Sequence, residues 1–172
     1  VELANSTKME CEFVCSDVLK IPNKSHGKFD IVFISSGSIR WVPDLPNFFQ
    51  IIETLLTHGG YLLITEMHPI LNTIDGNKKI KLHKHIKHSY FKKEPFRDRQ
   101  SLVYWEDQKY DPPPVYYFHH TLGEIITQCL YNKMSLSHFL EHPMDLSFGR
   151  FSRQGDIKLP LSFSLLARKG KR

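Results

Sequence analysis

The segment FDIVFISSGSIRWVPDL, Phe29–Leu45, together with the helix and strand patterns that follow it to Glu66, constrains this chain more than any other stretch. FDIVFIS is a near-continuous apolar run of strand length, the pattern of a strand covered on both faces in a parallel sheet. It breaks into Ser35, Ser36 and Gly37. Asp44 then reads as a helix N-cap, with Pro46 in the first turn, where a missing N–H costs nothing. Leu45, Phe48, Phe49, Ile52, Leu55 and Leu56 repeat at the helical period. Gly59 and Gly60 predict the helix end through a positive φ. YLLITE, Tyr61–Glu66, is a second buried strand, stopped near Pro69. Strand, helix and strand at this spacing predict a βαβ unit.

The flanks are less regular. Glu10–Leu19 (ECEFVCSDVL) reads as a short β-rich run, with Cys11 and Cys15 as core thiols on one face. Three cysteines form an odd, sparse set that suits a reducing compartment. No apolar run approaches the length of a membrane span, and the first residues lack the apolar centre of a signal peptide, so the expected location is cytoplasmic. Thr121-x-x-Glu124 is a capping box that opens a helix with apolar positions Leu122, Ile125, Ile126, Cys129 and Leu130. Leu136–Pro143 and Leu159–Lys169 read as final strands, joined by a hairpin-like connection, DLSFGRFSRQGD.

Between them lies a basic, aromatic-rich segment, residues 70–114, read as an insertion with short elements of its own. Lys78–Arg99 alone holds nine Lys or Arg against Glu94 and Asp98, a local +7 that exceeds the whole chain's +5 and leaves the remainder slightly acidic. His83, His85 and His88 lack a cysteine or acid at a recognisable ligand spacing, and the lysines among them repel cations, so no metal site is expected.

CEFVCSDVLKIP, FDIVFISSGSIRWVPDL, GGYLLITEMHP and the terminal LPLSFSLLARK, in this order, resemble the later portion of class I S-adenosylmethionine-dependent methyltransferases of the small-molecule type. The resemblance implies a Rossmann-like, doubly wound, mostly parallel α/β sheet with a reversed final strand, and S-adenosyl-L-methionine as cofactor across the carboxyl ends of the strands. It treats residues 1–172 as a partial methyltransferase domain with 70–114 as a lid or substrate cover. The glycine-rich turn and first strands of that family have no counterpart here: none of the nine glycines forms a G-x-G pattern. Val1 opens in what reads as a helix tail, so the expectation is a C-terminal portion that does not bind the cofactor normally by itself.

Site residues follow from the same resemblance. Asp17 matches the acid that accepts from the adenine amino group, with Val18 covering the ring; the alternative for Asp17 is a turn residue. Ser35, Ser36 and Gly37 let the methionine portion approach the backbone. Trp41 either walls the sulfonium or packs on the helix that Asp44 caps. Glu66 and His68, at a strand end, are expected to face the same crevice as substrate-binding groups. His119 and His120 are base candidates because histidine is neutral and proton-accepting near pH 7; His120 alternatively braces the helix start. Tyr116 and Tyr117 shape an apolar substrate wall. The implied partner is a small-molecule substrate. The alternatives are RNA binding or RNA methylation through the basic insertion, and a non-catalytic interaction protein of the same fold.

Overall fold

The computed structural model describes residues 1–2, 6, 9–74, 86–99, 113–146 and 159–170. Six strands and two α-helices occur among them, with short 3₁₀ turns. Strand β1 (Phe29–Ile34) leads through a 3₁₀ turn at Ile39–Trp41 to helix α1 (Leu45–Leu55), which returns the chain to β2 (Leu56–Met67). Strands β3 (Phe96–Asp98) and β4 (Val115–Tyr117) form a separate two-stranded sheet, and helix α2 (Leu122–Tyr131) is followed by β5 (Met134–His142) and β6 (Ser162–Lys169).

The main sheet has the order β1-β2-β6-β5. β1 and β2 are parallel, with Ile31 opposite Tyr61 and Ile34 opposite Ile64, as a βαβ crossover requires. β6 lies between β2 and β5 and runs antiparallel to both, which is the reversed final strand expected from the sequence.

Both helices begin as the sequence predicts. The Asp44 carboxylate accepts from Asn47 N at 3.1 Å. Thr121 and Glu124 exchange both bonds of the capping box. α1 buries Leu45, Phe48, Phe49, Ile52 and Leu55. Its C-terminal carbonyls at Glu53 and Leu56 accept from Lys169 Nζ of β6, at 2.6 and 3.0 Å, a cation placed where the helix dipole favours one. The core joins these helix positions and Ile125 and Cys129 of α2 to one sheet face: Leu62 and Ile64 of β2 beside Phe163, Leu165 and Ala167 of β6.

Four expectations change. α1 ends at Leu55 instead of at the glycines: Leu56 already pairs with Phe29, and the irregular register between Phe29 and Ile31 absorbs the extra residues of β2. Gly59 has φ +80, but Gly60 is required for space, since a Cβ there would meet the Asp30 and Thr57 carbonyls at 3.1 Å. Residues 12–17 form no strand: a strand needs a neighbour to take its backbone bonds, and among the described residues β1 pairs with β2 alone; Cys11 and Cys15 are accordingly exposed. β1 is covered on one face only: Ile31 and Phe33 are 62% and 58% exposed. The hairpin-like connection falls largely outside the described residues.

The two faces of the sheet predict different mutational costs. Phe163→Ala, at a fully buried position, should cost about 3–5 kcal/mol, whereas Phe33→Ser should cost less than about 1 kcal/mol. Urea unfolding midpoints of the two variants test the assignment.

Candidate functional site

β1 and β2 end side by side because they are parallel and in register, so the residues just beyond Ile34 and Ile64 meet at one edge of the sheet. Beyond β1 the chain has no long side chain until Ile39. Gly37 adopts φ +86, which only glycine takes without strain, and a Cβ there would meet nothing within 4 Å. The turn is closed by Ser38 N donating to Ser35 O at 3.3 Å.

Glu66 holds this turn from below. It is 4% exposed, and its Oε1 accepts from Gly37 N at 2.7 Å and from Met67 N at 2.8 Å, while Oε2 accepts from Ile39 N at 3.2 Å. Ser36 Oγ lies 3.5 Å from the same Oε1. Glu66 therefore meets Ser36 and Gly37, chiefly as a brace for the turn. His68, two residues on, goes elsewhere. Its Nδ1 accepts from Ile70 N, which fixes the proton on Nε2, and Nε2–H donates to Glu141 of β5 at 2.8 Å. The expectation that Glu66 and His68 share one crevice is corrected on this geometry.

The adjacent histidines separate as clearly. His119 is buried, with Nε2–H donating to the Tyr90 carbonyl at 2.6 Å and Nδ1 accepting from the Asn72 amide at 3.1 Å. Both nitrogens are committed, so His119 fastens the insertion to the domain. His120 donates Nε2–H to the Val42 carbonyl at 2.8 Å, which leaves the lone pair on Nδ1. It borders two spaces: a pocket of about 30 Å³ shared with Glu66 and Asn72, and an open hollow of about 230 Å³ between Pro43–Pro46 and the Glu124 and Gln128 positions of α2.

The described part of the insertion reaches this hollow through Lys93. Tyr90 Oη accepts from Leu122 N at 3.2 Å, Lys93 pairs with Glu124, and Lys93 lies at the hollow's rim. Tyr117 stacks on Phe96 with centroids 4.9 Å apart, and the Arg40 guanidinium sits 3.8 Å from the centre of the Tyr117 ring. Trp41 meets Tyr117 edge-on at 6.5 Å and keeps 43% exposure. Tyr116, the next residue along β4, points the opposite way and is exposed, so Tyr116 and Tyr117 do not form one wall. Asp17 caps the 3₁₀ turn Val18–Lys20, its Oδ1 accepting from Leu19 N at 2.9 Å, and Val18 is exposed beside it. The sequence pattern does not single out Asn72, Arg40 or Lys93 and offers Tyr90 only as an aromatic of the basic insertion: each matters through a partner distant in sequence, which no local pattern records. Of the three clustered histidines only His88 lies among the described residues, where no group of three metal-ligating side chains occurs. Within the same residues no helix is long and apolar enough to cross a membrane.

A sequence profile described as a methyltransferase domain matches residues 2–131. The chain belongs to this methyltransferase-domain family. No curated protein sequence matches the chain. Among solved structures, a Listeria monocytogenes protein described as an S-adenosylmethionine-dependent methyltransferase superposes with a TM-score of 0.67 at 15% identity, covering 99% of this chain and 76% of its own. A SAM-dependent methyltransferase from Methanosarcina mazei gives 0.61 at 17% identity, over 94% and 68%. Geranyl diphosphate C-methyltransferase from Streptomyces coelicolor, solved with S-adenosyl-L-homocysteine, gives 0.51 at 12%, over 91% and 52%. At such identities the likeness is one of fold.

Three histidines set its response to acid. Burial holds His68, His119 and His120 below the ordinary histidine pKa, with the Glu141 bond, the Tyr90 carbonyl and the Val42 carbonyl respectively offsetting part of the effect. For groups lowered in the folded state the unfolded chain binds protons first, so their contribution is complete above about pH 6.5 and declines as pH falls towards the folded values. Urea midpoints should be higher at pH 7.5 than at pH 5.5; equal midpoints would contradict the buried, neutral assignment.

Proposed function

We propose that this methyltransferase domain transfers a methyl group from S-adenosyl-L-methionine to a small-molecule acceptor. One observation carries the reading: in a chain whose residues 2–131 match a methyltransferase domain, the carboxyl ends of β1 and β2 carry an open, side-chain-poor turn, Ser35–Ser38. The residues fit the cofactor there. The space above Gly37 admits a ligand against the backbone, Trp41 keeps an exposed aromatic surface suited to a cation, and Asp17 is exposed, its second oxygen 3.8 Å from the ammonium of a surface lysine. Ser35, Ser36, Gly37 and Trp41 would hold the methionine end, and Asp17 and Val18 the adenine. When bound, the cofactor supplies an electrophilic methyl group on a sulfonium.

The chain's own contribution is alignment, exclusion of water and one proton acceptor. The hollow of about 230 Å³ beside His120 takes a small acceptor, with Phe118 and Pro43 as apolar walls and Lys93 at the rim. His120, kept neutral by burial, receives the proton of an alcohol, phenol or ammonium acceptor on Nδ1, while the Val42 carbonyl fixes its tautomer. His119, first considered as a base, serves the insertion. A small acceptor is favoured over RNA because Tyr117 and Phe96 are spent on each other and on Arg40 and Lys92 instead of being presented for base stacking.

Calorimetric titration of the chain with S-adenosyl-L-homocysteine tests the reading; saturable one-to-one binding is expected, weakened because these residues hold no glycine-rich turn, and absence of heat would contradict it. With an acceptor found by screening small phenols, alcohols and amines, His120→Asn should lower the transfer rate by about 10²–10⁴-fold with S-adenosyl-L-homocysteine affinity unchanged. An unaltered rate would remove His120 from the chemistry.

A further inference from the structure

We infer that Glu66 is a positioning residue: it sets the affinity for the cofactor by fixing the Ser35–Ile39 turn, without touching the cofactor itself. The inference rests on the S-adenosylmethionine reading above. Glu66 comes from β2, whereas the turn it holds follows β1, so the contact joins two strands whose ends form the crevice.

Its bonds are unusual in where they come from. A carboxylate buried to 4% exposure ordinarily faces a cation. Here the donors are backbone N–H groups, from Gly37, Ile39 and Met67, with the Ser36 hydroxyl at the limit of a bond. The turn gains three constraints. The Gly37 amide is held at 2.7 Å, the Ile39 amide is held at the start of its 3₁₀ turn at 3.2 Å, and the hydroxyl of Ser36, just before Gly37, lies 3.5 Å from the same carboxylate. Gly37 sits at φ +86, a conformation a glycine leaves easily when nothing holds it, because its side chain imposes no barrier and a Cβ would meet nothing within 4 Å. A carboxylate with two acceptor oxygens can serve all of these donors together. An amide cannot: its NH₂ would confront an N–H, donor against donor, and the turn would relax.

The same carboxylate lines the 30 Å³ pocket that His120 borders. Glu66's bonds run to the turn, whereas His120 is held separately by the Val42 carbonyl, so a change at Glu66 acts on the cofactor side.

The experiment compares the whole chain with Glu66→Gln, Glu66→Asp and Cys129→Ala. Cys129 is fully buried in α2 and distant in sequence from the turn, so its variant lowers stability without removing a bond to residues 35–39. Each is titrated with S-adenosyl-L-homocysteine by calorimetry, well below its unfolding midpoint. Glu66→Gln should raise Kd by about 10–100-fold, Glu66→Asp, which keeps both acceptor oxygens, should bind more tightly than Glu66→Gln, and Cys129→Ala should bind like the parent. The inference is overturned if Glu66→Gln binds within twofold of the parent, or if Cys129→Ala loses affinity in proportion to its lost stability. Should Glu66→Gln fail to fold, Glu66→Asp decides: a weakening of fivefold or more supports the role and parity overturns it. If the parent itself does not bind, the S-adenosylmethionine reading falls instead, and no Glu66 variant was needed to show it.

Discussion

β2 is the strand on which everything else is registered. It pairs parallel with β1 on one side and antiparallel with β6 on the other, and its alternate residues Leu62, Ile64 and Glu66 form one row towards the helices. Leu62 and Ile64 anchor the core; the third position in the row is a carboxylate. A charge there is costly unless donors converge on it, and the donors are the backbone of the turn after β1. One strand therefore carries both the apolar packing and the polar contact that shapes the crevice edge, and a slip of its register by one residue would disrupt both.

The insertion is coupled to this edge by two independent devices. His119 and Tyr90 fasten it through a buried bond, a ring contact and the Leu122 amide. Arg40, Tyr117, Phe96 and Lys92 fasten it through two stacked rings with a cation against each. Lys92, Lys93, Tyr90 and Phe96, part of what looks in the sequence like a surface for a polyanion, are thereby used within the chain. The hollow beside His120 lies where the docked segment, the first turn of α1 and the first turns of α2 come together.

Local patterns carried the fold a long way. The apolar run of β1, the period of α1, the caps at Asp44 and Thr121 and the strands before and after residues 147–158 were all legible because each depends on neighbours within a few residues. Whatever depends on distant partners was not. Glu10–Leu19 has strand composition but no strand beside it to pair with, so composition misled. The end of α1 shifted because pairing of Leu56 with Phe29 outcompeted a glycine signal. The roles of the histidines were hidden for the same reason: His119 is bound by Asn72 and Tyr90, 47 and 29 residues away, and His120 by Val42, 78 residues away. Glu66 was correctly placed at the strand end, yet its direction, into the turn, is a property of the β1–β2 register and cannot be seen in either strand alone.

The most direct measurement of where this domain holds its ligand is a titration of the ¹⁵N-labelled chain with S-adenosyl-L-homocysteine, followed by amide chemical shifts. The expected result is that perturbations concentrate at Ser35–Trp41 and Met67, with smaller shifts at His120. Perturbations confined to the β3–β4 segment or to the exposed face around Ile31 and Phe33 would contradict a crevice at the ends of β1 and β2.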